Sequence, residues 1–265
     1  MEVQIYLNII LFAFLGGTFG SFFNVVIYRF PLGLSVVNPP SACPACQSEI
    51  KWYDNIPVWG WIQLLGKCRN CKNPISIQYP LVELLCAVLA AVGPFLAYLL
   101  NKDFVWGASL GLFLLVCVPI VWIDIKHFLI PDMIVLPSAL VVLAAKAYID
   151  LELFWFALKG VAVGAGGLWL FSFLVSKMIK KDAMGLGDVK LMILIGSLVG
   201  ALGAWGAVVV AAISGLIFSV IQKSLKKRHD QGWIPFGPFL CLGCLVFLVW
   251  GEALIELYLN WLGIS

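Results

Sequence analysis

The chain has 265 residues, of which 62% are hydrophobic and 12% charged, with 18 Phe and 11 Trp. A soluble domain carries roughly twice that charged share, so the composition excludes an ordinary water-soluble protein and points to a polytopic membrane protein. The formal net charge of +3 is too small to argue for nucleic acid as a partner, and the placement of the charges matters more than their sum.

The opening Met1-Glu2-Val3-Gln4 lacks the basic region of a signal peptide. No small-residue cleavage site follows the first apolar run, which is therefore expected to stay as a span. Apolar runs of membrane-spanning length occur near 4–28, 80–100, 104–123, 131–149, 153–176, 189–203, 206–222 and 235–259. They predict an all-α, polytopic helical integral membrane protein with about eight transmembrane helices embedded in a lipid bilayer. The 189–203 run is short, and its division from the next rests on Gly200, Gly203 and Gly206, which leaves a re-entrant or tilted course open.

Basic residues in short loops stay on the cytoplasmic side. With the N-terminus outside, fourteen of the 17 Lys and Arg fall on one face, and only Lys102, Lys146 and Lys159 fall on the other. The 31–79 loop, the turn from Asp124 to Asp132 and the stretch Gly185-Leu186-Gly187-Asp188 are then expected on the cytoplasmic face. The cluster from Lys223 to Arg228 reads as an inside anchor or an anionic-lipid contact.

The first loop carries Cys43-Pro-Ala-Cys46 and Cys68-Arg-Asn-Cys71. Two Cys-x-x-Cys pairs supply four thiolates in a spacing close to that of tetrahedral structural zinc sites, slightly long in the middle. In a reducing cytoplasm disulfides are the weaker explanation. A short loop with little core gains from a metal staple, and Gly66 suits the tight turn a knuckle needs. A small cytoplasmic zinc-knuckle domain with a closed, structural Zn2+ is the expectation. Cys86, Cys117, Cys241 and Cys244 stand inside apolar runs and read as packing.

Acids at the edge of a membrane span are costly and begin as functional candidates. Asp124 closes an apolar run at the same expected depth and face as Asp188, which follows Gly185-Leu186-Gly187 and precedes Val189-Lys190. For Asp188 alone, a helix N-cap competes with a catalytic role. Asp132, after Pro131, reads as a first-turn acid favoured by the helix dipole. Glu83 could anchor a cationic ligand or snorkel to the interface. If Asp124 and Asp188 meet, two carboxyls sharing one proton can activate water and protonate a peptide carbonyl, which is aspartyl proteolysis. No His-Glu-x-x-His or Gly-x-Ser-x-Gly competes in this chain.

Several stretches together resemble the type IV prepilin peptidases, bifunctional enzymes of bacterial pilus and type II secretion systems. They are Gly20-Ser21-Phe22-Phe23-Asn24-Val25-Val26-Ile27-Tyr28-Arg29, the two Cys pairs, Asn55-Ile56-Pro57, Gly66-Lys67-Cys68, Tyr79-Pro80-Leu81-Val82-Glu83, Ile123-Asp124 with Ile130-Pro131-Asp132, and Gly185 to Lys190. The resemblance implies that Asp124 and Asp188 are the catalytic pair of a Gly-x-Gly-Asp aspartyl protease, and that Cys43, Cys46, Cys68 and Cys71 bind zinc. It implies a substrate, a prepilin or pseudopilin, whose basic leader is cut after a glycine. S-adenosylmethionine then methylates the new N-terminal residue. The site would face the cytoplasm from the bacterial inner membrane.

The implied domains are a first transmembrane helix over 1–30, a tetracysteine loop of the methyltransferase part over 31–79, and a transmembrane protease domain over 80–265. For the methyl donor, Asn24, Arg29, Gly66 and Glu83 surround the candidate region, without individual roles. Gln78 stands before Tyr79-Pro80 where an Arg is common, and the stretch from Pro31 to Cys43 is short. Two alternatives remain: a protease without methyl transfer, against which the retained Cys loop argues, and an acid-relay transporter, for which no inverted hydropathy repeat is apparent. The sequence leaves the oligomeric state open.

Overall fold

Backbone groups in hydrocarbon must find their hydrogen bonds within their own segment, so long apolar runs of this kind cross as helices. The computed structural model describes residues 2–181, 184–224, 234–261 and 263. Lys226, Lys227 and Arg228, part of the expected inside anchor, lie outside them. Helix α1 is Glu2–Arg29, and the short α2 (Trp59–Gln63) lies in the polar loop. Then follow α3 (Gln78–Leu99), α4 (Phe104–His127), α5 (Asp132–Ile149), α6 (Leu151–Ile179), α7 (Leu186–Ser224) and α8 (Gly237–Trp261). Among the described residues every helix but α2 is long and apolar enough to span a bilayer, which makes seven. Their outer faces carry large apolar side chains such as Ile10, Phe14, Leu140 and Leu216, each more than 60% exposed. Lipid, not water, is the solvent that such faces require.

The chain forms two compact units, Met1–Trp122 and Ile123–Ser265. In the first, α1 and α3 pack antiparallel and close, with Gly16 against Cys86 and Ala90, and Gly20 against Glu83 and Cys86. Small residues at such a seam let helices approach and gain dispersion contacts that lipid does not supply. Helix α3 meets α4 in the same manner, Gly93 lying on the backbone of Gly107 and Gly111.

In the second unit the two apolar runs expected at 189–203 and 206–222 form one continuous element, α7, broken at Gly200 with φ 72° and ψ −173°. A Cβ on Gly164 of α6 would lie 2.9 Å from Ala204 Cβ and 3.8 Å from Met192 O. Twelve residues of straight helix would hold those positions about 18 Å apart. The chain therefore doubles back at Gly200, and α7 supplies two crossings. Eight apolar crossings are kept, with the break at the first of the three expected glycines. Only glycine suits it, since φ is left-handed and a Cβ would lie 2.1 Å from Phe156 Cζ.

Lys146, which the charge pattern assigns to the sparsely basic side, is 8% exposed. Its Nζ donates to the carbonyls of Ser197 at 2.8 Å and Leu198 at 3.1 Å. Those carbonyls lie in the last turn before the break at Gly200, where helical carbonyls run out of partners and a cation is favoured. The returning limb packs antiparallel on α8, with Gly243 on Ala207 and the Phe218 and Phe239 rings 5.5 Å apart. The start of α8 thereby sits at the end of the unit where α7 begins.

Candidate functional site

Asp124 stands in the last turn of α4 and is 5% exposed. The helix stops three residues later, and Phe128 takes φ 55°, turning the chain so that the Ile130 side chain points inward. Ile130 is buried, with its Cδ1 3.5 Å from the position of a Cβ on Gly237 and its Cβ 3.2 Å from that of one on Gly187. Gly187 directly precedes Asp188, which lies in the first turn of α7. Asp124 and Asp188 come close enough to interact electrostatically. The two acids singled out in the sequence are thus brought together within the second unit, 64 residues apart along the chain.

A third participant was missed. The backbone N–H of Gly237, the first residue of α8, donates to Asp124 Oδ2 at 2.9 Å. A Cβ at this position would lie 2.7 Å from that same oxygen, so the close approach requires glycine. The N-terminus of α8 thus faces a carboxylate, an arrangement that the helix dipole favours. Pro235-Phe236-Gly237-Pro238 carried a signal for it, since proline just inside a helix start is a common pattern. Asp132 occupies the first turn of α5 as expected, and its Oδ2 accepts from Lys190 Nζ at 2.5 Å.

In the first unit the two Cys pairs form matching knuckles. Cys43 N–H donates to Ser48 O, and Cys68 N–H to Asn73 O. The residue after each pair is left-handed, Gln47 at φ 57° and Lys72 at φ 60°. Gly66, also left-handed, does not form the knuckle turn; its N–H donates to Trp61 O after α2. The four Sγ atoms lie within 4.8 Å of one another, with Cys43 to Cys71 at 3.8 Å and Cys46 to Cys68 at 4.0 Å. A tetrahedron of Zn–S bonds has edges of about 3.8 Å, so the donor set and its spacing fit a four-thiolate metal.

The Ser48 hydroxyl and N–H beside Cys46 pull its thiol down to about 6. The N–H groups of Cys71 and Asn70 lower that of Cys68. Cys71 also receives a backbone N–H, from Asn73, yet burial and the neighbouring sulfurs push it up to about 11. Four thiolates therefore require a cation between them. Arg69, inside the second knuckle, grips Asp54 through two bonds of 2.8 and 2.5 Å and holds its carboxyl below the usual range.

The four residues named for the methyl donor have different surroundings. Glu83, 8% exposed, accepts from the Val58 N–H at 2.6 Å, fixing a valine with φ 62°. Asn24 donates from Nδ2 to Tyr79 O at 3.0 Å, across the seam of α1 and α3. Gly66 rests on the Trp61 ring. Arg29 holds the carbonyls of Ser35, Pro39 and Pro40, and lines a cavity of about 290 Å³ with Thr18, Ser21, Phe22 and Asn55.

Residues 109–220 match a family model described as the type IV leader peptidase family, and residues 14–97 one described as the bacterial peptidase A24 N-terminal domain. A prepilin leader peptidase/N-methyltransferase of Xanthomonas campestris is 33% identical, the alignment covering 94% of each chain. That of Pseudomonas aeruginosa is 33% identical over 94% of this chain and 92% of its own. That of Pectobacterium carotovorum is 34% identical over 86% and 88% respectively. No solved structure matches.

Proposed function

This chain belongs to the type IV leader peptidase family, and from that premise we propose that it removes the leader of a prepilin or pseudopilin and methylates the new N-terminus. Asp124 and Asp188 are the catalytic pair. The observation that carries the reading is the meeting of these two acids beside the N-terminus of α8.

The Gly237 N–H donated to Oδ2 of Asp124 favours the charged form of that carboxyl, so in this reading Asp124 serves as the base. Water attacks the carbonyl carbon of the leader's last glycine while Asp124 takes a water proton and Asp188 gives its proton to the carbonyl oxygen. Collapse of the tetrahedral diol breaks the C–N bond. The proton held by Asp124 passes to the departing amine, and the diol returns one to Asp188. Water is the only co-reactant.

The proposed division assigns 1–30 to the first helix, 31–79 to the tetracysteine loop of the methyltransferase part and 80–265 to the protease. Within that division, both acids lie in the compact unit Ile123–Ser265, and the cysteines and the Arg29 cavity in Met1–Trp122. Zn2+ held by Cys43, Cys46, Cys68 and Cys71 is structural, because four protein ligands leave no open position. Substituting Cys68 by Ser is expected to release the metal from the purified protein. Retention of one zinc per chain by elemental analysis would contradict the assignment.

S-adenosylmethionine, when bound, would supply its sulfonium methyl group to the α-amine freed by cleavage, the S–CH3 bond breaking to leave a thioether as the amine loses a proton. The cavity beside Arg29 is at the low end of ligand-sized sites and is the candidate place for it, the guanidinium offering a partner to a carboxylate. Thr18→Phe should fill the space and lower transfer of labelled methyl by about tenfold, with cleavage within about twofold. Unchanged transfer would remove this cavity from the reading. The basic leader is met at the cytoplasmic face of the bacterial inner membrane, a side supported by the bias of Lys and Arg.

A further inference from the structure

Each catalytic acid reaches the site on its own stretch of chain. Asp124 comes with the end of α4 and the turn that leads to Asp132 at the start of α5. Asp188 comes with the first turn of α7, and Lys190 follows two residues later. Among the contacts that join these stretches near the acids are the Ile130 side chain on Gly187 and the Lys190 to Asp132 bond. The first is apolar and non-directional, so it resists separation but not sliding. The second has a defined donor, acceptor and direction, so it sets how the start of α7 is registered against the start of α5.

We propose that the Lys190–Asp132 pair is a positioning clamp for the catalytic acids, an inference that rests on the reading of Asp124 and Asp188 as the dyad. Its exposure separates this role from a stabilising one. The Lys190 and Asp132 side chains are 39% and 47% exposed, and ion pairs that wet contribute little to stability. Small displacements of reacting groups, by contrast, are strongly felt in turnover. Loss of the pair is therefore a catalytic event in a protein that stays folded.

The test uses the full-length protein in detergent with a prepilin substrate. Lys190→Met and Asp132→Asn are each expected to lower kcat by about tenfold, with KM within about twofold and the melting temperature within about 3 °C. The double variant Lys190→Met/Asp132→Asn should be no worse than either single one, because both remove the same bond. The charge exchange Lys190→Asp/Asp132→Lys should restore a substantial part of kcat. Should the exchanged protein fail to fold, the non-additivity of the neutral pair decides.

Full kcat in both single variants overturns the proposal. So does an inactive Lys190→Met beside an untouched Asp132→Asn, which would assign the lysine to the substrate or the acids themselves. Asp188→Asn run in parallel separates the two levels. If it still cleaves, the dyad falls and the clamp with it; if it is inactive while the clamp variants turn over normally, the clamp alone is wrong.

Discussion

Asp188→Asn and Asp124→Asn should each lower leader cleavage by about a thousandfold or more, with metal content and melting temperature unchanged. Each amide keeps the volume of the acid it replaces but can neither take the water proton nor return one to the carbonyl oxygen. At position 124 the amide oxygen can still accept from the Gly237 N–H, so the junction of α4 and α8 made by that 2.9 Å bond survives. The effect is then chemical and not structural. Cleavage measured on a quenched peptide spanning the leader junction, with zinc content and thermal unfolding on the same preparation, checks this. Wild-type turnover in either variant removes that acid from the pair.

Gly237→Ala is expected to cost about a hundredfold in kcat although the substitution adds one methyl group. That methyl would stand 2.7 Å from Asp124 Oδ2, well inside contact distance. Helix α8 cannot retreat to relieve it, because Gly243 already lies on the Ala207 backbone. The carboxylate must therefore move out of register with Asp188. Gly251→Ala, further along α8 and with its nearest contact at 3.5 Å from Phe247, supplies the control and should turn over normally. Equal activity in the two alanine variants would contradict the role given to Gly237.

What was legible in the sequence follows from which forces act locally. Spans could be read because apolar length is a property of a continuous segment, and the four cysteines because knuckle spacing is short-range. Asp124 and Asp188 stood out because an acid at the end of an apolar run is costly wherever it occurs. The same logic could not find Gly237, whose part is a backbone N–H with no side chain to announce it. Nor could it find Lys146, which counts as one more basic residue in a charge tally until the turn at Gly200 exposes the carbonyls that it meets. The expected grouping of Asn24, Arg29, Gly66 and Glu83 rested on the family resemblance alone. In the fold, Glu83 and Asn24 bond backbone groups of Val58 and Tyr79, and Arg29 alone lines the cavity. Likewise the pairing of Lys190 with Asp132 joins residues 58 apart in sequence, beyond the reach of any periodicity.

The most direct test of the central claim is mass spectrometry of an intact prepilin incubated with the detergent-solubilised protein, with and without S-adenosylmethionine, beside Asp188→Asn. Expected are loss of the leader after its glycine in both wild-type samples, one added methyl group only where the donor is present, and an unaltered prepilin with the variant. A prepilin left intact by the folded wild-type protein, or cut equally well by Asp188→Asn, would contradict it.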